Sequence, residues 1–454
     1  MLSIRFKGSQ EFMKFIIRNI GTIGSAEIEL NNLTVISGEN NSGKTTISKI
    51  AYAVGQASSS FPIDYKRHQY NEFRKLYDEI AFNLTRLLRN SEEVKQYDSY
   101  QKLMSVLLDI RRSSEVTEFD LSITKELVIE IESYLEGKDE VSPNYFKRIY
   151  SILDKLHNLY DEYNYNDPID KVIFRALKNE FINELLNKRN GAKEAYLSLE
   201  MDDFKVFEIT FNNKEILSFN SEQNKLPIKD STLIEGPYIF QLASIIHDIS
   251  IRDSISRRST KINPKIPYHV LDLCSKLDGS RGIDNINDKS DWRIETKDFY
   301  DGSIDYKLET NNFELNENEL IFNVNNVSSG MKSIAILDLL CKGYFINSES
   351  ILIVDEPETN LHPQWQNLYA KFLIKLANQG TRILVNTHSP YMLESLKIYS
   401  DKSNKSLGAK FYFSHKCENI IKIEDTNGNI VPIIDALSAP LYSLMEELED
   451  VDNF

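Results

Sequence analysis

Gly38-Glu39-Asn40-Asn41-Ser42-Gly43-Lys44-Thr45-Thr46 sets two glycines, a lysine and a hydroxyl at the spacing that grips a triphosphate. The glycines let the backbone curl until successive N–H groups point at phosphate oxygens, and the following helix adds its positive end. Lys44 would bridge the β- and γ-phosphates, and the Thr45 hydroxyl would bind Mg²⁺. A chance match in a Gly/Asn-rich turn is the bland alternative. The apolar strand before the loop and the helix after it argue against chance.

Further on, Ile351-Leu-Ile-Val-Asp355-Glu356-Pro-Glu-Thr-Asn-Leu-His362-Pro363 is an apolar strand delivering two adjacent carboxylates at its end. Ligands of open α/β sheets bind at that end. Asp355 suits the Mg²⁺ role. Glu356 suits the base that polarises an attacking water, because neighbouring strand-end side chains aim differently. An ordinary acidic turn is the alternative, weakened by the phosphate loop upstream.

Asn326-Val-Ser328-Ser329-Gly330-Met331-Lys332-Ser333 places small and hydroxyl residues at a helix start, a second phosphate-binding geometry far from Lys44 in sequence. One nucleotide cannot easily use both helix ends of a monomer, whereas two protomers packed head to tail can share two ATPs. Alone, Ser-Ser-Gly is a common loop sequence. His388, after the strand Ile383-Leu-Val-Asn-Thr387, can donate a hydrogen bond to a γ-phosphate and report its presence. His362 reads as a cap or packing residue for the helix starting at Pro363.

These residues need a framework, and the hydrophobic pattern supplies one. Short β-prone runs at 15–20 and 26–30 flank a glycine-containing turn, and 33–37 is a buried strand leading into the loop. From about 65 to 190 the period becomes helical, with stripes such as Phe73, Leu76, Tyr77, Ile80, Leu84 and Ile149, Ile152, Leu153, Leu156. These stripes read as core faces, and no heptad run supports a long coiled coil. Residues 195–235 alternate as strands, 238–290 look helical and polar, and 298–327 read as short strands. A helix from 329, a strand at 351–354, a helix at 363–378 and a strand at 382–386 then argue for a parallel sheet. The expected division is therefore 1–60, the first part of an ATP-binding head; 61–195, a helical insertion; 196–400, the rest of the head; and 401–454, closing strands with an acidic helix.

Bulk properties narrow the class. At 454 residues the chain exceeds the size at which one core keeps growing, so a second unit is expected. No apolar run reaches the roughly 18–20 residues that span a bilayer, and no secretory leader opens the chain. Three cysteines (Cys274, Cys341, Cys417) form neither a disulfide framework nor a zinc site. The chain reads as cytoplasmic. Met13 opens what reads as the natural first strand, so residues 1–12 could be an upstream start. A net charge of −15 opposes nucleic-acid binding by the whole surface, although Arg252, Arg257, Arg258, Lys261 and Lys265 form a local basic stretch.

Taken in order, Gly38–Thr45, Val327–Ser333, Asp355–Pro363 and Thr387–Pro390 resemble the Walker A, signature, Walker B with D-loop, and H-loop of ABC-type ATPase heads. The wording Asp-Glu-Pro-Glu-x-Asn-Leu-His-Pro is similar to the heads of OLD and RecF-like proteins. It also resembles the ATPases of anti-phage systems such as Septu and PARIS. The resemblance implies an α/β fold, an ABC-ATPase head with a mixed or parallel sheet on a P-loop NTPase core, interrupted by a helical insertion. It implies ATP and Mg²⁺ as cofactors, Glu356 as general base and His388 as switch. Ser328, Ser329, Gly330 and Lys332 of one protomer would cap the γ-phosphate held by its partner. The signature departs from Leu-Ser-Gly-Gly-Gln, with Ser329 for the first glycine and Met331-Lys332 after the second. Gln241, after a strand at 232–236, is the candidate for the glutamine such heads place at the metal; a plain surface glutamine is the alternative. OLD nucleases carry a large C-terminal catalytic domain, and about 65 residues follow His388 here. Any nuclease of the system is therefore expected to be a separate protein. Three functions follow: a defence ATPase licensing a separate effector, a RecF-like ATPase that binds DNA, and, least favoured, a transporter's nucleotide-binding subunit.

Overall fold

Alternating apolar side chains bury one face of β1 (Met13–Ile20) and β2 (Ile23–Leu30), an antiparallel pair turned at Gly21. These elements belong to a computed structural model that describes residues 12–57, 59, 73, 75–85, 97–112, 117–136, 144–163, 169–202, 204–222, 226–242, 266–279, 302–307, 312–317, 320–403, 407–417 and 420–451. β3 (Leu33–Gly38) is buried at every position, as a strand covered on both faces must be. Its end feeds the glycine-rich loop and then α1 (Lys44–Gln56).

The chain divides into two compact units. The smaller, Ser60–Pro168, contains α2 (Asp98–Arg112), α3 (Glu118–Leu135) and α4 (Asn144–Tyr163). A capping box starts α3, with Thr117 and Asp120 each satisfying the other's backbone N–H. Phe73, Tyr77, Ile80 and Leu84 pack with Leu103, Val128, Ile131, Ile149 and Leu156 into one apolar core. Helical periodicity carried the expected insertion on to residue 195. The compact unit ends instead at Pro168, and α5 (Ile169–Glu180) belongs with the larger unit. There it packs against α1, and Phe174 meets the Phe211 ring.

The larger unit continues with β4 (Ala195–Met201), β5 (Phe204–Phe211), β6 (Ile216–Ser221) and β7 (Asp230–Ile234). After α6 (Tyr268–Gly279) come β8 (Ser303–Lys307), β9 (Asn312–Glu317) and β10 (Leu320–Asn323). Of the 238–290 stretch expected to be helical, most lies outside the described residues, and so does the whole basic stretch 252–265. Then follow α7 (Ser329–Lys342), β11 (Ser350–Asp355), α8 (Pro363–Asn378), β12 (Arg382–Thr387) and α9 (Pro390–Lys402). β13 (Lys410–Cys417), β14 (Ile420–Asp425) and α10 (Val431–Val451) close the chain.

The strands form three sheets, ordered β2-β1-β4-β5-β6, β10-β9-β8 and β14-β13-β3-β12-β11-β7. In the third, β13, β3, β12, β11 and β7 run parallel, and only edge strand β14 is antiparallel. Val35, Leu352, Val354, Ile383 and Val385 share a core with α7, α8 and α9. The residues between them point the other way, the side on which α1 packs against β7, β11 and β12. The carboxyl ends of β3, β11 and β12 thus meet at one edge of a parallel sheet. None of the described helices is long and apolar enough to cross a membrane.

Candidate functional site

At that edge the loop after β3 closes around its own lysine. Lys44 is 4% exposed, and its Nζ donates to the carbonyls of Gly38 (2.9 Å) and Glu39 (2.7 Å). Burial pulls its ammonium below the ordinary lysine value, and the charges of Glu356, Asp355, Glu358 and Glu39 oppose that pull. Gly38 is obligatory for another reason: a Cβ there would lie 1.8 Å from the Ser414 carbonyl oxygen. Gly43 caps α1 from the left-handed region, at φ 91°. Asn40, Asn41 and Thr45 are exposed, while Ser42 and Thr46 are buried, and Thr46 Oγ1 sits 3.1 Å from Thr22 Oγ1. Among the described residues the Ser37 and Ser42 hydroxyls are buried with no hydrogen-bond partner.

β12 lies between β3 and β11, so Asn386 can bridge the two motifs. Its Nδ2 donates to Ser48 Oγ on α1 (2.6 Å) and to Asp355 Oδ1 (2.8 Å). Burial pushes the Asp355 carboxyl above its ordinary range, against hydrogen bonds from Thr45 and Asn386 that lower it. Thr45 and Asp355 together offer a hydroxyl and a carboxylate, hard oxygen donors that suit Mg²⁺. Among the described residues no group of three His, Cys, Asp or Glu could hold a metal unaided. The residues therefore fit MgATP: the loop and Lys44 for the phosphates, Thr45 and Asp355 for the ion.

Glu356 differs from its neighbour. Its side chain is 39% exposed, and its backbone stands at φ 49°, a conformation non-glycine residues seldom adopt. Such strain costs about 1–3 kcal/mol and collects at working sites. His388 Nδ1 lies 3.5 Å from Glu356 Oε1 and 3.2 Å from Glu358 Oε1. A hydrogen bond from this ring to a phosphate oxygen must therefore leave from Nε2.

Glu358 was not singled out by sequence. Buried beneath His388, its Oε1 accepts from the backbone N–H groups of His388 (2.6 Å) and Ser389 (3.1 Å), fixing the start of α9. Asn386 and Glu235 were likewise missed. Glu235, just past β7, adds its charge to the field on Asp355. A polar residue inside the apolar run Ile383-Leu-Val-Asn386 was the available signal, since buried polar groups must be partnered.

The remaining candidates bond to groups outside the loop. Ser328 caps α7, its hydroxyl accepting from the Met331 N–H (3.4 Å). Ser329 Oγ donates to the Asn360 carbonyl (2.6 Å), and Lys332 Nζ donates to that of Asn325 (2.8 Å). Gly330 lies against Trp365, where a Cβ would come within 2.5 Å of the indole. Gln241 is exposed, and no hydrogen bond joins it to Asp355 or Thr45 among the described residues. His362 is the N-cap of α8, its Nδ1 accepting from the Gln364 N–H (3.3 Å).

The profile of the AAA ATPase domain family matches residues 13–393. The chain belongs to that family. As an AAA ATPase it binds nucleotide and hydrolyses ATP. A curated relative, Endonuclease GajA of Bacillus cereus (strain HuB5-5), is 23% identical over 401 residues, 81% of this chain and 53% of that protein. The chain thus spans about half the length of this relative. Among solved structures, the SMC head domain from Thermotoga maritima is similar at 10% identity, with 91% of this chain and 98% of that one covered and a TM-score of 0.38. The SMC head bound to the C-winged helix domain of ScpA gives 10% identity, 91% and 97% coverage and a TM-score of 0.42.

Proposed function

We propose that two copies of this AAA ATPase close head to tail around two MgATP, and that closure licenses a separate effector, a nuclease, in anti-phage defence in the cytoplasm. The observation that carries the two-copy reading is the division of labour within one chain. The charges acting on Lys44 are those of Glu356, Asp355, Glu358 and Glu39, whereas Ser329 and Lys332 bond to Asn360 and Asn325. A signature that caps a γ-phosphate then has to cap that of a partner. In the closed pair, Lys44 and the loop amides bind the phosphates, and Thr45 and Asp355 hold Mg²⁺, which neutralises charge on the phosphates. Glu356 orients and deprotonates the attacking water, while His388 Nε2 reaches the γ-phosphate. Support for a defence role comes from the Asp-Glu-Pro-Glu-x-Asn-Leu-His-Pro wording.

Light scattering tests the first part. Glu356→Gln should accumulate as a dimer with MgATP, and Lys44→Ala should not; a Glu356→Gln chain that stays monomeric with ATP bound sinks the reading. For the effector, purification of the native assembly should bring a second protein with it, and a bare homodimer would count heavily against it. A DNA-binding reading draws on the similarity to an endonuclease and on the basic stretch 252–265. DNA that stimulates hydrolysis and binds with a strong salt dependence would favour it.

A further inference from the structure

β10 has the composition of an interior strand and the position of an edge one. In the order β10-β9-β8 it closes one side of its sheet, and among the described residues it pairs with β9 alone. Leu320 is 60% exposed, Ile321 62% and Phe322 39%, three large apolar side chains in succession. Successive strand residues point to opposite faces, so the strand is apolar on both faces and neither is fully covered. On β9 beside it, Phe313 and Leu315 are buried in the core. Phe322, opposite Leu315 in the register, already emerges. The sheet thus overhangs its core by one strand. Exposed edges are commonly blunted by lysine, proline or a bulge, and Leu320–Asn323 has none of them.

The strand is also held ready. Val324 behind it is buried, Asn323 Oδ1 accepts from the Asn325 N–H (2.9 Å), and Lys332 Nζ donates to the Asn325 carbonyl (2.8 Å). A fixed row of backbone N–H and C=O groups is complementary to another extended strand. A helix would cover the side chains and leave that row unpaired. Because both faces of β10 are apolar, the incoming strand must bring apolar residues to both. Charge sets what flanks them. From Leu308 to Met331 the sequence has four glutamates (Glu309, Glu314, Glu317, Glu319) and no lysine, arginine or histidine. Glu317 stands opposite Leu320 and Glu314 opposite Asn323, one at each end of the strand. A second copy of the same edge would bring like charges together, which is unfavourable. Lysine or arginine would meet them favourably.

We infer that β10 is a docking edge for an extended segment of a different protein, apolar at its centre and flanked by lysine or arginine, which adds as a further strand beside Leu320–Asn323. Pairing of this kind needs no nucleotide, so it is separable from head closure. The probe is a fluorescein-labelled synthetic peptide, Lys-Lys-Val-Ile-Val-Thr-Val-Lys-Lys, titrated into the full chain without nucleotide. The same peptide with glutamate for every lysine is titrated beside it. Saturable binding of the lysine peptide is expected, with the glutamate peptide weaker by about tenfold or more. Ile321→Lys blunts the edge at an exposed position and should weaken the lysine peptide about tenfold, with the melting temperature unchanged. Glu317→Lys leaves β10 itself intact and should narrow the preference between the peptides by about threefold or more. Leu217→Lys, on the other sheet's edge strand β6, should change nothing. A lysine peptide that does not bind, or that binds Ile321→Lys as well as the parent, overturns the proposal. Equal binding of the two peptides overturns it too. Sedimentation of the parent without peptide tests the remaining occupant: a dimer that Ile321→Lys abolishes would put a second copy on this edge and refute the choice of a different protein.

Discussion

Asp355 and Glu356 are chain neighbours in different media. One is 6% exposed and held by Asn386 and Thr45, the other opens to solvent on a strained backbone. Under the proposed mechanism, that contrast would let one carboxylate keep an ion while the next meets water. Behind them, His269 is 2% exposed, with Nδ1 2.6 Å from Glu180 Oε2 and Nε2 3.3 Å from Glu235 Oε2. Burial pulls its imidazolium down, but hydrogen bonds and charge from Glu180 and Glu235 outweigh this and leave the pKa at about 9, against 6.5 for an unperturbed histidine. The folded state therefore holds this proton more tightly than the unfolded state. The stabilisation is complete below pH 6.5 and is lost as pH rises through about 9. Urea unfolding between pH 6 and 9.5 should show stability falling across that window. His269→Gln should flatten the fall, and an unchanged slope would remove His269 as its source. Such residues were hidden in the sequence. The loop, the acidic pair and His388 could be read because phosphate chemistry dictates residue type and spacing. Glu358, Asn386 and Glu235 acquire their places only when β7, β11 and β12 are laid side by side.

At the scale of elements, α1 sits so close to β7 that helix propensity and packing conflict at one position. A Cβ on Gly55 would lie 2.5 Å from Ser231 Cβ, and Ser231 cannot swing away freely because its Oγ donates to the Tyr52 carbonyl at 2.8 Å. Gly→Ala inside a helix is worth roughly 0.5–1 kcal/mol. Overpacking a rigid contact costs about 1–3 kcal/mol. The clash should win, so Gly55→Ala is expected to destabilise by about 1–2 kcal/mol in denaturant melts; a more stable variant would show that α1 can move off the sheet. The elements themselves were largely legible, since unbroken apolar runs mark β3, β11 and β12 as central strands. The end of the insertion was not. Phe174 and Leu177 on α5 repeat with the same period as Ile149 and Leu153 on α4, and periodicity says that a helix has a core face without saying which core it joins. α9 was also unread, although Ser389 and Pro390 form a regular helix start.

The whole molecule raises a question that one chain cannot answer, because each half of the proposed ATP site lies in a different protomer. Sharing of this kind has a quantitative consequence. Lys44→Ala removes the phosphate grip and leaves the signature intact. Ser328→Arg places a bulky cation at the signature and leaves the phosphate loop intact. Each variant alone should be inactive, because every site that pairing with its own kind could form carries the defect. In an equal mixture that exchanges freely, half the pairs are heterodimers. In each of those, one site joins the good loop of the Ser328→Arg chain to the good signature of the Lys44→Ala chain, and the other site carries both defects. Hydrolysis by the mixture should therefore recover to about a quarter of the parent rate. The control is a mixture of Lys44→Ala with Glu356→Gln. Both of those defects lie on the loop side of the shared site, so neither heterodimer site is whole and no recovery is expected. Recovery in both mixtures, or in neither, would contradict a site divided between the signature of one chain and the loop of the other.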